Sequence, residues 1–361
     1  MSSEVFDCIV IGAGIQGSCT AYQLAKNKQK TLLLEQFVLP HSRGSSHGQT
    51  RVIRKTYEED FYIQMMHESY ELWAQLEREA GVELHRRTGL LVMGPENGEG
   101  FSRLKATMQK HKIPTVFLEK QEFSQHIPNV NLADGNGALI DTFAGVLYAD
   151  RALRAVQRLF QSCGGVIKDG EKVIDIRPGV EVTVTTGSGV YRGRSLVISA
   201  GPWANTLLTH TGLQLPLKVV KINVCYWKEK IPGTYSVGQS FPCFIEMEPK
   251  EGEYDIYGLP SNEYPGLMKC ACMCLSRCVT TWAARPNRMS EINRRIEGTS
   301  IFWCVTSPAV SLGWCQCLLW WRAVCTRSRQ TITSSLIPTQ PTATSSSVLD
   351  SQATDSSSAL S

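Results

Sequence analysis

The chain has 361 residues, of which 42% are hydrophobic and 19% are charged, and its formal net charge is +4. This length predicts two domains, and the hydrophobic fraction is sufficient for a sizeable core. The net charge is too small to indicate a nucleic-acid partner, and the sequence lacks the run of about 18 apolar residues that predicts a membrane span. The first apolar run leads directly into a glycine turn, so we interpret it as a strand of an intracellular protein and not as a signal peptide.

The amino-terminal region, residues 5–36, has the pattern of a β-α-β nucleotide-binding unit. An apolar strand, a glycine-rich turn, a helix and a second apolar strand are closed by an acidic residue; the defining positions are Gly12, Gly14, Gly17 and Glu35. The glycines are expected to form a tight turn, admit a pyrophosphate and allow close helix–strand packing, while the carboxylate binds ribose hydroxyls and disfavours a 2′-phosphate. The unit predicts a dinucleotide, either NAD or FAD; an ordinary α/β turn is the alternative.

Helical and strand patterns alternate through the following residues. Residues 41–54 are a polar, glycine-rich segment that we expect to lead into a helix. Further helices are predicted over residues 61–80 (with Trp73 on the buried side), 101–112 and 152–163. Strands are predicted over residues 90–93, 166–167, 173–176, 180–185, 196–201, 219–227 and 255–260, with a turn into a strand over 141–148. We interpret 196–201 as the closing strand of the nucleotide domain, with an ordinary buried strand as the alternative. The order predicts an α/β domain interrupted by a mixed, antiparallel-looking insertion.

The segment SSHGQTRVIR carries the most chemistry in this part of the chain. It separates Arg51 and Arg54 by three residues, so the two side chains share one face if the segment is helical. Two guanidinium groups beside a cofactor would bind a carboxylate through paired hydrogen bonds. A solvated basic loop is the alternative. Taken alone, His47 is more typical of a structural hydrogen-bonding residue than of a catalytic base.

The cysteines fall into two groups. Five precede residue 270 and have apolar neighbours, which predicts buried, reduced thiols: Cys8, Cys19, Cys163, Cys225 and Cys243. The other eight lie in residues 270–361 and begin with the pattern Cys270-x-Cys272-x-Cys274-x-x-x-Cys278. Because this pattern lacks paired CxxC units and a following His, we predict no metal site, with zinc as the alternative.

The composition changes after Lys269. Residues 270–361 contain no Lys, His or Tyr but five of the eight Trp, and they end in a Ser/Thr-rich run. When this segment is back-translated and read in shifted codons, it permits the strings ASCMYT, FILDPHP and GAGFSGHGFKL, which have the character of folded protein. We therefore interpret residues 270–361 as an aberrant tail translated in another reading frame, and we expect it to be poorly ordered.

Several motifs together resemble one protein family. VIGAGIQGSCTAYQLAK, LLLEQFVLPHSRGSSHGQTRVIRK, VISAGPW, KINVCYW and YGLPSNEYPGLMK are similar to the monomeric sarcosine oxidases, which belong to the glutathione-reductase-like flavoprotein amine oxidases, and in particular to the peroxisomal branch acting on sarcosine and L-pipecolate. The resemblance covers residues 5–269, and the shifted strings resemble the family's C-terminal segment. It implies a Rossmann-type FAD-binding domain, residues 1–85 and 145–212, with an interleaved mixed α+β substrate domain, residues 86–144 and 213–269.

The resemblance also implies roles for individual residues. The ADP half of FAD would be held by Gly12, Gly14, Gly17 and Glu35, the adenine side would be contacted by Val173, and the loop beside the flavin ring would contain Ser46, His47 and Thr50. Arg51 and Lys269 match a basic pair that faces the ring, where a lysine promotes reaction with oxygen by stabilising developing negative charge. Arg54 matches the anchor for the substrate carboxylate, and Tyr257 matches an aromatic residue of the substrate pocket.

The implied reaction is the FAD-dependent oxidation, by a monomeric enzyme, of a small secondary or tertiary amino acid to an imine or aldehyde, with oxygen converted to hydrogen peroxide. Neither a nucleic acid nor a membrane is implied as a partner. One alternative is a catalytically defective truncated isoform. A second is an NAD-dependent dehydrogenase, although the SSHGQTRVIR and GLMK motifs argue against it.

The chain departs from the family at three points. The cysteine that attaches the flavin covalently is absent in frame, and Cys325 has unrelated neighbours, so we do not assign it that role. The family's His soon after the residue matched by Lys269, and its second carboxylate-binding lysine, are also absent. The last three residues, ALS, differ from an SKL-type peroxisomal signal. The family implies a peroxisomal location, and the cytosol is the alternative.

Overall fold

The computed structural model describes residues 4–272 of the chain, except 128–129, 216, 218, 220–223, 250–254 and 263. Residues 270–272, the first of the segment expected to be poorly ordered, instead form the end of a strand, Leu267–Cys272. The rest of that segment, residues 273–361, lies outside the described residues, as do Cys274 and Cys278 of the cysteine pattern. Within the part of the chain that is described, none of the helices combines the length and the apolar character needed to cross a membrane.

The described residues form six α-helices and sixteen strands. The helices are α1 (Ile15–Lys26), α2 (Asp60–Ala80), α3 (Glu99–Lys110), α4 (Lys120–His126), α5 (Ala149–Ser162) and α6 (Ala204–Leu208). The strands are β1 (Val5–Ile11), β2 (Thr31–Leu34), β3 (Thr50–Ile53), β4 (His85–Arg87), β5 (Leu90–Pro95), β6 (Thr115–Leu118), β7 (Asn136–Asp141), β8 (Gly145–Tyr148), β9 (Val166–Lys168), β10 (Val173–Arg177), β11 (Val182–Thr186), β12 (Val190–Ile198), β13 (Cys225–Lys228), β14 (Cys243–Glu246), β15 (Ile256–Leu259) and β16 (Leu267–Cys272).

The first sheet has the strand order β10-β11-β12-β1-β2-β9. Strands β12, β1, β2 and β9 are parallel, whereas β10 and β11 are joined antiparallel. Val10 and Leu33 belong to the apolar cluster that includes α1 and α5, while Ile9 and Leu32 belong to a second cluster. Burial on both faces explains why β1 and β2 are continuous apolar runs in the sequence.

Two further sheets complete the architecture. A seven-stranded mixed sheet has the order β13-β16-β15-β14-β5-β7-β6, and a three-stranded antiparallel sheet has the order β3-β8-β4. Strand β3 contacts helix α5 and also strand β15, so the small sheet connects the nucleotide-type layers with the seven-stranded sheet. The predicted α/β class with a second, mixed sheet is confirmed.

The predicted helices are confirmed, with bounds that shift by up to three residues. Helix α2 buries Trp73 completely and ends at Gly81, and α5 is followed by Gly164. Both glycines have positive φ angles, of 64° and 86°, which favour glycine after a helix. The strand expected over 196–201 begins earlier, at Val190, because β12 pairs antiparallel with β11 before it pairs parallel with β1.

The helix expected after the glycine-rich segment is α2, but the end of the segment itself is neither loop nor helix, because residues Thr50–Ile53 form strand β3. Three of these four residues are β-branched, and their stiff side chains favour an extended backbone. The strand pairs antiparallel with β8, where Thr50 lies opposite Tyr148. Arg51 is therefore on a strand and Arg54 follows its end, so the two arginines do not share a helix face.

The prediction of buried cysteines holds for only three of the five. Cys8, Cys19 and Cys243 are buried, whereas Cys163 and Cys225 are exposed. Cys163 directly follows α5, and Cys225 lies on β13 at the edge of the seven-stranded sheet. Apolar sequence neighbours do not predict the exposure of these two cysteines, since residues at a helix end or on a sheet edge can face solvent.

Asp141, at the end of β7, is completely buried and connects two segments. Its Oδ2 accepts hydrogen bonds from the Lys55 amide at 2.9 Å and the Thr56 hydroxyl at 2.7 Å. Its Oδ1 accepts from the amides of Phe143 and Ala144 at 3.0 and 3.2 Å. A buried carboxylate requires such donors, and here they fix the segment directly after β3 onto the β7–β8 turn.

We expect the variant Asp141→Asn to lower the free energy of unfolding of the full chain by about 3 kcal/mol, because an amide group cannot accept all four hydrogen bonds and leaves buried donors unpaired. Urea unfolding followed by tryptophan fluorescence measures the change. The matched control is Asp134→Asn, whose side chain is 84% exposed and whose loss should cost less than about 1 kcal/mol. Equal losses for the two variants would contradict the structural role of Asp141.

Candidate active site

The glycine turn after β1 is too tight for side chains. Gly12 has a φ of 102°, and a Cβ there would lie 2.4 Å from the carbonyl oxygen of Ser199. A Cβ on Gly17 would lie 1.8 Å from the carbonyl oxygen of Gly12. Both positions therefore require glycine. Gly12 allows the turn to pass the end of β12, and Gly17 allows α1 to approach the turn.

The amino terminus of α1 faces the polar loop that precedes β3. The Ile15 amide donates to the Ser46 hydroxyl at 3.0 Å, and a Cβ on Gly14 would lie 3.0 Å from the same oxygen. The positive end of the helix dipole is directed at this point. The turn and the Ser46 loop together form a cradle with backbone donors, of the kind that binds a pyrophosphate.

Glu35 closes the cradle at the end of β2. The residue is only 7% exposed, and its two carboxylate oxygens accept from the Ala13 amide at 2.8 Å and the Phe37 amide at 3.1 Å. Its backbone carbonyl accepts from the Glu171 amide at 2.8 Å, and buried Val173 begins β10 two residues later. These three features fit the ADP half of a dinucleotide. The glycine turn allows close backbone approach, the helix terminus provides amide donors, and the fixed carboxylate can accept from the ribose.

A second cluster contains two cations that share one backbone oxygen. The Thr50 carbonyl oxygen accepts from Arg51 Nη1 at 2.7 Å and from Lys269 Nζ at 3.2 Å. Arg51 Nη2 also donates to the carbonyls of Ser45 and His47, at 2.6 and 2.8 Å. Lys269 is 8% exposed and Thr50 is 2% exposed. The arrangement holds the buried charge of Lys269 close to the half-buried charge of Arg51, and burial makes the field of the Lys269 ammonium stronger than in water.

His47 belongs to the same loop and has a structural contact. Its Nδ1 lies at hydrogen-bond distance from the Gly44 carbonyl. Burial lowers the pKa of His47 below its usual value; the Gly44 contact opposes this shift, and the Arg51 charge adds to it. The neutral ring is therefore favoured, which agrees with an orienting role within the loop.

Arg54 is a buried cation at the end of β3. It is 8% exposed, and its guanidinium carbon lies 4.5 Å from the centre of the Tyr57 ring. Its Nε is buried and has no hydrogen-bond partner among the described residues. A buried guanidinium group with an unused donor is suited to an anionic ligand, because an unpaired buried donor is costly.

Two carboxylates close to Arg54 were missed by the sequence analysis. Burial raises the pKa of Glu58, and the Glu59 charge adds to this rise. Burial likewise raises the pKa of Asp255, and the positive charge of Arg54 partly opposes the shift for both groups. Their sequence positions beside the Arg54 and Tyr257 motifs could have indicated a place in the site, but acidic residues beside a turn are more often solvated.

Tyr257 lies on β15, between Ile245 of β14 and Ala271 of β16. Burial raises the pKa of its phenol, and the Arg51 charge acts in the opposite direction, so the two side chains sense each other. Strands β15 and β3 are in contact. The structure thus brings Thr50, Arg51, Lys269 and Tyr257 to one region, with Arg54 at the end of the same strand and the glycine cradle joined to it through Ser46.

The described residues contain no group of three or more His, Cys, Asp or Glu side chains that could hold a metal ion. The nearby thiol of Cys243 is completely buried, and burial raises its pKa to about 12, so it is not a reactive thiolate.

Comparison with known proteins gives consistent matches over the same residues. The family model described as FAD dependent oxidoreductase matches residues 7–268. Peroxisomal sarcosine oxidase of Homo sapiens is 53% identical over 266 residues, which cover 74% of this chain and 68% of that protein. Monomeric sarcosine oxidase of Bacillus sp. (strain B-0618) is 34% identical over 263 residues, 72% of this chain and 66% of that protein.

Solved structures share the fold. The open form of NikD, described as an unusual amino acid oxidase, aligns with a TM-score of 0.68 and 25% identity over 75% of this chain and 70% of that chain. L-proline dehydrogenase from P. horikoshii aligns with a TM-score of 0.62 and 21% identity over 74% of this chain and 70% of that chain. Together with the glycine cradle and the buried cations, these matches show that the chain belongs to the FAD dependent oxidoreductase family, within which its sequence relatives are sarcosine oxidases.

Proposed function

We propose that the chain is an FAD-dependent oxidase of small amino acids with a secondary or tertiary nitrogen, such as sarcosine or L-pipecolate, with an imine and hydrogen peroxide as products. The observation that carries this proposal is the pair Arg51 and Lys269, which share the Thr50 carbonyl, together with the separately buried Arg54. Such an arrangement provides one positive site for a flavin and oxygen and another for a substrate carboxylate.

Bound FAD would supply an acceptor for two electrons that oxygen can regenerate. We propose that Gly12, Gly14, Gly17 and Glu35 hold its ADP half, that Val173 borders the adenine, and that the loop of Ser46, His47 and Thr50 borders the flavin ring. The fit of the cradle supports this assignment, because the turn excludes side chains where phosphates would approach. Since the family's attaching cysteine is absent in frame, we propose that the flavin is held without a covalent bond.

Arg54 would bind the substrate carboxylate and thereby orient the amino acid toward the flavin. The support is its burial, its unused Nε donor and its stacking on Tyr57. Tyr257 would form an aromatic wall of the same pocket. Lys269 would stabilise the negative charge that develops on oxygen, because a buried ammonium group that is already in position costs no reorganisation.

The remaining assignments rest on the resemblance to the family. We propose that residues 1–85 and 145–212 act as the FAD-binding domain and residues 86–144 and 213–269 as the substrate domain. We also propose a monomer that needs neither nucleic acid nor membrane, with a peroxisomal location as in the relatives of that name and the cytosol as the alternative. The main alternative function is a catalytically defective isoform, which is favoured by the end of the family match at residue 268.

Peroxide release separates the two functions. The full chain, supplied with FAD, is incubated with sarcosine, L-pipecolate and L-proline, and hydrogen peroxide is measured with a coupled peroxidase. Release that requires one of these substrates supports the oxidase. A chain that binds FAD but releases no peroxide with any of them would support the defective isoform.

We expect Arg54→Met to raise the KM for the preferred amino acid by about 100-fold, or roughly 2.7 kcal/mol, because the substrate carboxylate loses a buried charged donor. Steady-state peroxide release measures the effect, and Arg54→Lys should restore part of the affinity. The matched control is Arg177→Met, since this side chain is 80% exposed. An unchanged KM in Arg54→Met would refute the anchor role.

We expect Lys269→Met to slow the reaction of the substrate-reduced enzyme with oxygen by roughly 100-fold, because the buried positive charge beside Thr50 is lost. Anaerobic reduction by the substrate should change much less. Stopped-flow absorbance separates the two steps, and Lys228→Met on the exposed strand β13 is the control. A variant that reacts with oxygen at the normal rate would remove Lys269 from this step.

A further inference from the structure

Two thiols face each other at the edge of the seven-stranded sheet. Strands β13 and β16 are antiparallel, and their register pairs Cys225 directly with Cys270. Cys225 is exposed and Cys270 is partly exposed, so small reagents in solvent can reach the pair. The other cysteines with described side chains do not share this arrangement: Cys8, Cys19 and Cys243 are buried, and Cys163 follows α5. Cys272, at the end of β16, lies opposite Ile256 of β15.

The backbone hydrogen bonds define the geometry of the pair. The Glu229 amide donates to the Gly266 carbonyl at 2.9 Å, which continues the register of β13 and β16. Hydrogen-bonded pairs alternate along an antiparallel ladder, so Cys225 and Cys270, two repeats away, also form such a pair. Its Cα atoms are expected about 5.5 Å apart, which is within the usual range for a disulfide of about 4.4–6.8 Å.

The two sulfur atoms share one face of the sheet. Side chains directly opposite each other on neighbouring strands point to the same side, with their Cβ atoms about 4.5–5.5 Å apart. A disulfide needs a Cβ separation of about 3.5–4.5 Å. Because the ladder hydrogen bonds fix the backbone spacing, the edge strand must twist locally to bring the two Cβ atoms roughly 1 Å closer. Strand β13 can twist in this way because, among the described strands, it pairs with β16 alone, and all four of its residues are exposed.

The thiols also interact electrostatically. Burial raises the pKa of Cys270 to about 11, and the paired Cys225 adds to this rise. Cys270 therefore stays protonated at neutral pH, and the more exposed Cys225 is the thiol that meets an oxidant first.

We propose that Cys225 and Cys270 are a site of reversible oxidation, at which hydrogen peroxide converts the two thiols into an intramolecular disulfide. The sulfur of Cys225 attacks one peroxide oxygen, the O–O bond breaks, and a sulfenic acid and one water form. The sulfur of Cys270 then attacks the sulfenic sulfur, so that the S–S bond forms, the S–O bond breaks, and a second water leaves. The two thiols lose two electrons and two protons in total, and one hydrogen peroxide becomes two waters.

The disulfide would link β13 to the strand that carries Lys269. Lys269 precedes Cys270 and pairs with Tyr226, on the opposite face of the sheet, where its Nζ reaches Thr50. A disulfide would thus join the edge strand to the strand that carries Lys269 without entering the region of Thr50. Since the exposed bond requires a local twist of the edge strand, it should be readily reduced by thiols.

Peptide mapping of the full chain tests the proposal with added hydrogen peroxide, so the result does not depend on turnover by the chain itself. After treatment, free thiols are blocked with N-ethylmaleimide before denaturation, and the protein is digested with trypsin. The expected product is residues 222–228 (INVCYWK) linked to residues 270–277 (CACMCLSR), with a fragment spectrum that assigns the bond to Cys270. Dithiothreitol should remove it.

Variants make the assignment specific. Cys270→Ser and Cys225→Ser should each abolish the linked peptide, whereas the control Cys163→Ser should retain it in full, because that exposed thiol is not part of the pair. A linked peptide that persists in Cys270→Ser would overturn the proposal, as would a disulfide between two chains. Conversion of Cys225 to a sulfinic or sulfonic acid without any linked peptide would overturn it as well.

Discussion

The carbonyl oxygen of Thr50 is the contact on which the arrangement of the site depends. It accepts hydrogen bonds from Arg51, its neighbour in the chain, and from Lys269, which is 219 residues away. A buried ammonium group does not remain beside a half-buried guanidinium group unless acceptors offset their repulsion. This oxygen therefore joins the small sheet, through β3, to the seven-stranded sheet, through β16.

The loop before β3 connects the Thr50 contact with the glycine cradle. Arg51 binds the carbonyls of Ser45 and His47, and between them the Ser46 hydroxyl accepts from the first turn of α1. At the other end of β3, Asp141 fixes the segment that follows Arg54. One short strand thus positions a helix terminus, a cation pair and the buried Arg54 guanidinium group relative to one another. The proposed neighbouring places for cofactor, substrate and oxygen rely on this one element.

Local features of the fold were predictable from the sequence, and non-local ones were not. The glycine turn is encoded within about 30 residues, because it depends on φ angles and on close contacts between neighbouring elements. The contact between Lys269 and Thr50 joins distant segments, and only the resemblance to a family indicated that Lys269 pairs with Arg51. Strand β3 is not evident from the sequence, because a polar segment with arginines three residues apart has no clear periodicity, whereas its β-branched residues and its partner β8 decide the conformation. The exposure of Cys225 depends on sheet order, which apolar sequence neighbours do not reveal.

The central claim is that Gly12 to Glu35 and the Ser46–Thr50 loop hold FAD in this chain without a covalent bond. The most direct measurement is the absorbance spectrum of the purified full chain, after incubation with FAD and removal of the excess, recorded on the pellet and the supernatant of an acid precipitation. We predict the yellow flavin spectrum in the supernatant and a colourless pellet. Flavin in the pellet would contradict the absence of a covalent bond, and no flavin in either fraction would contradict the claim that these residues retain the cofactor.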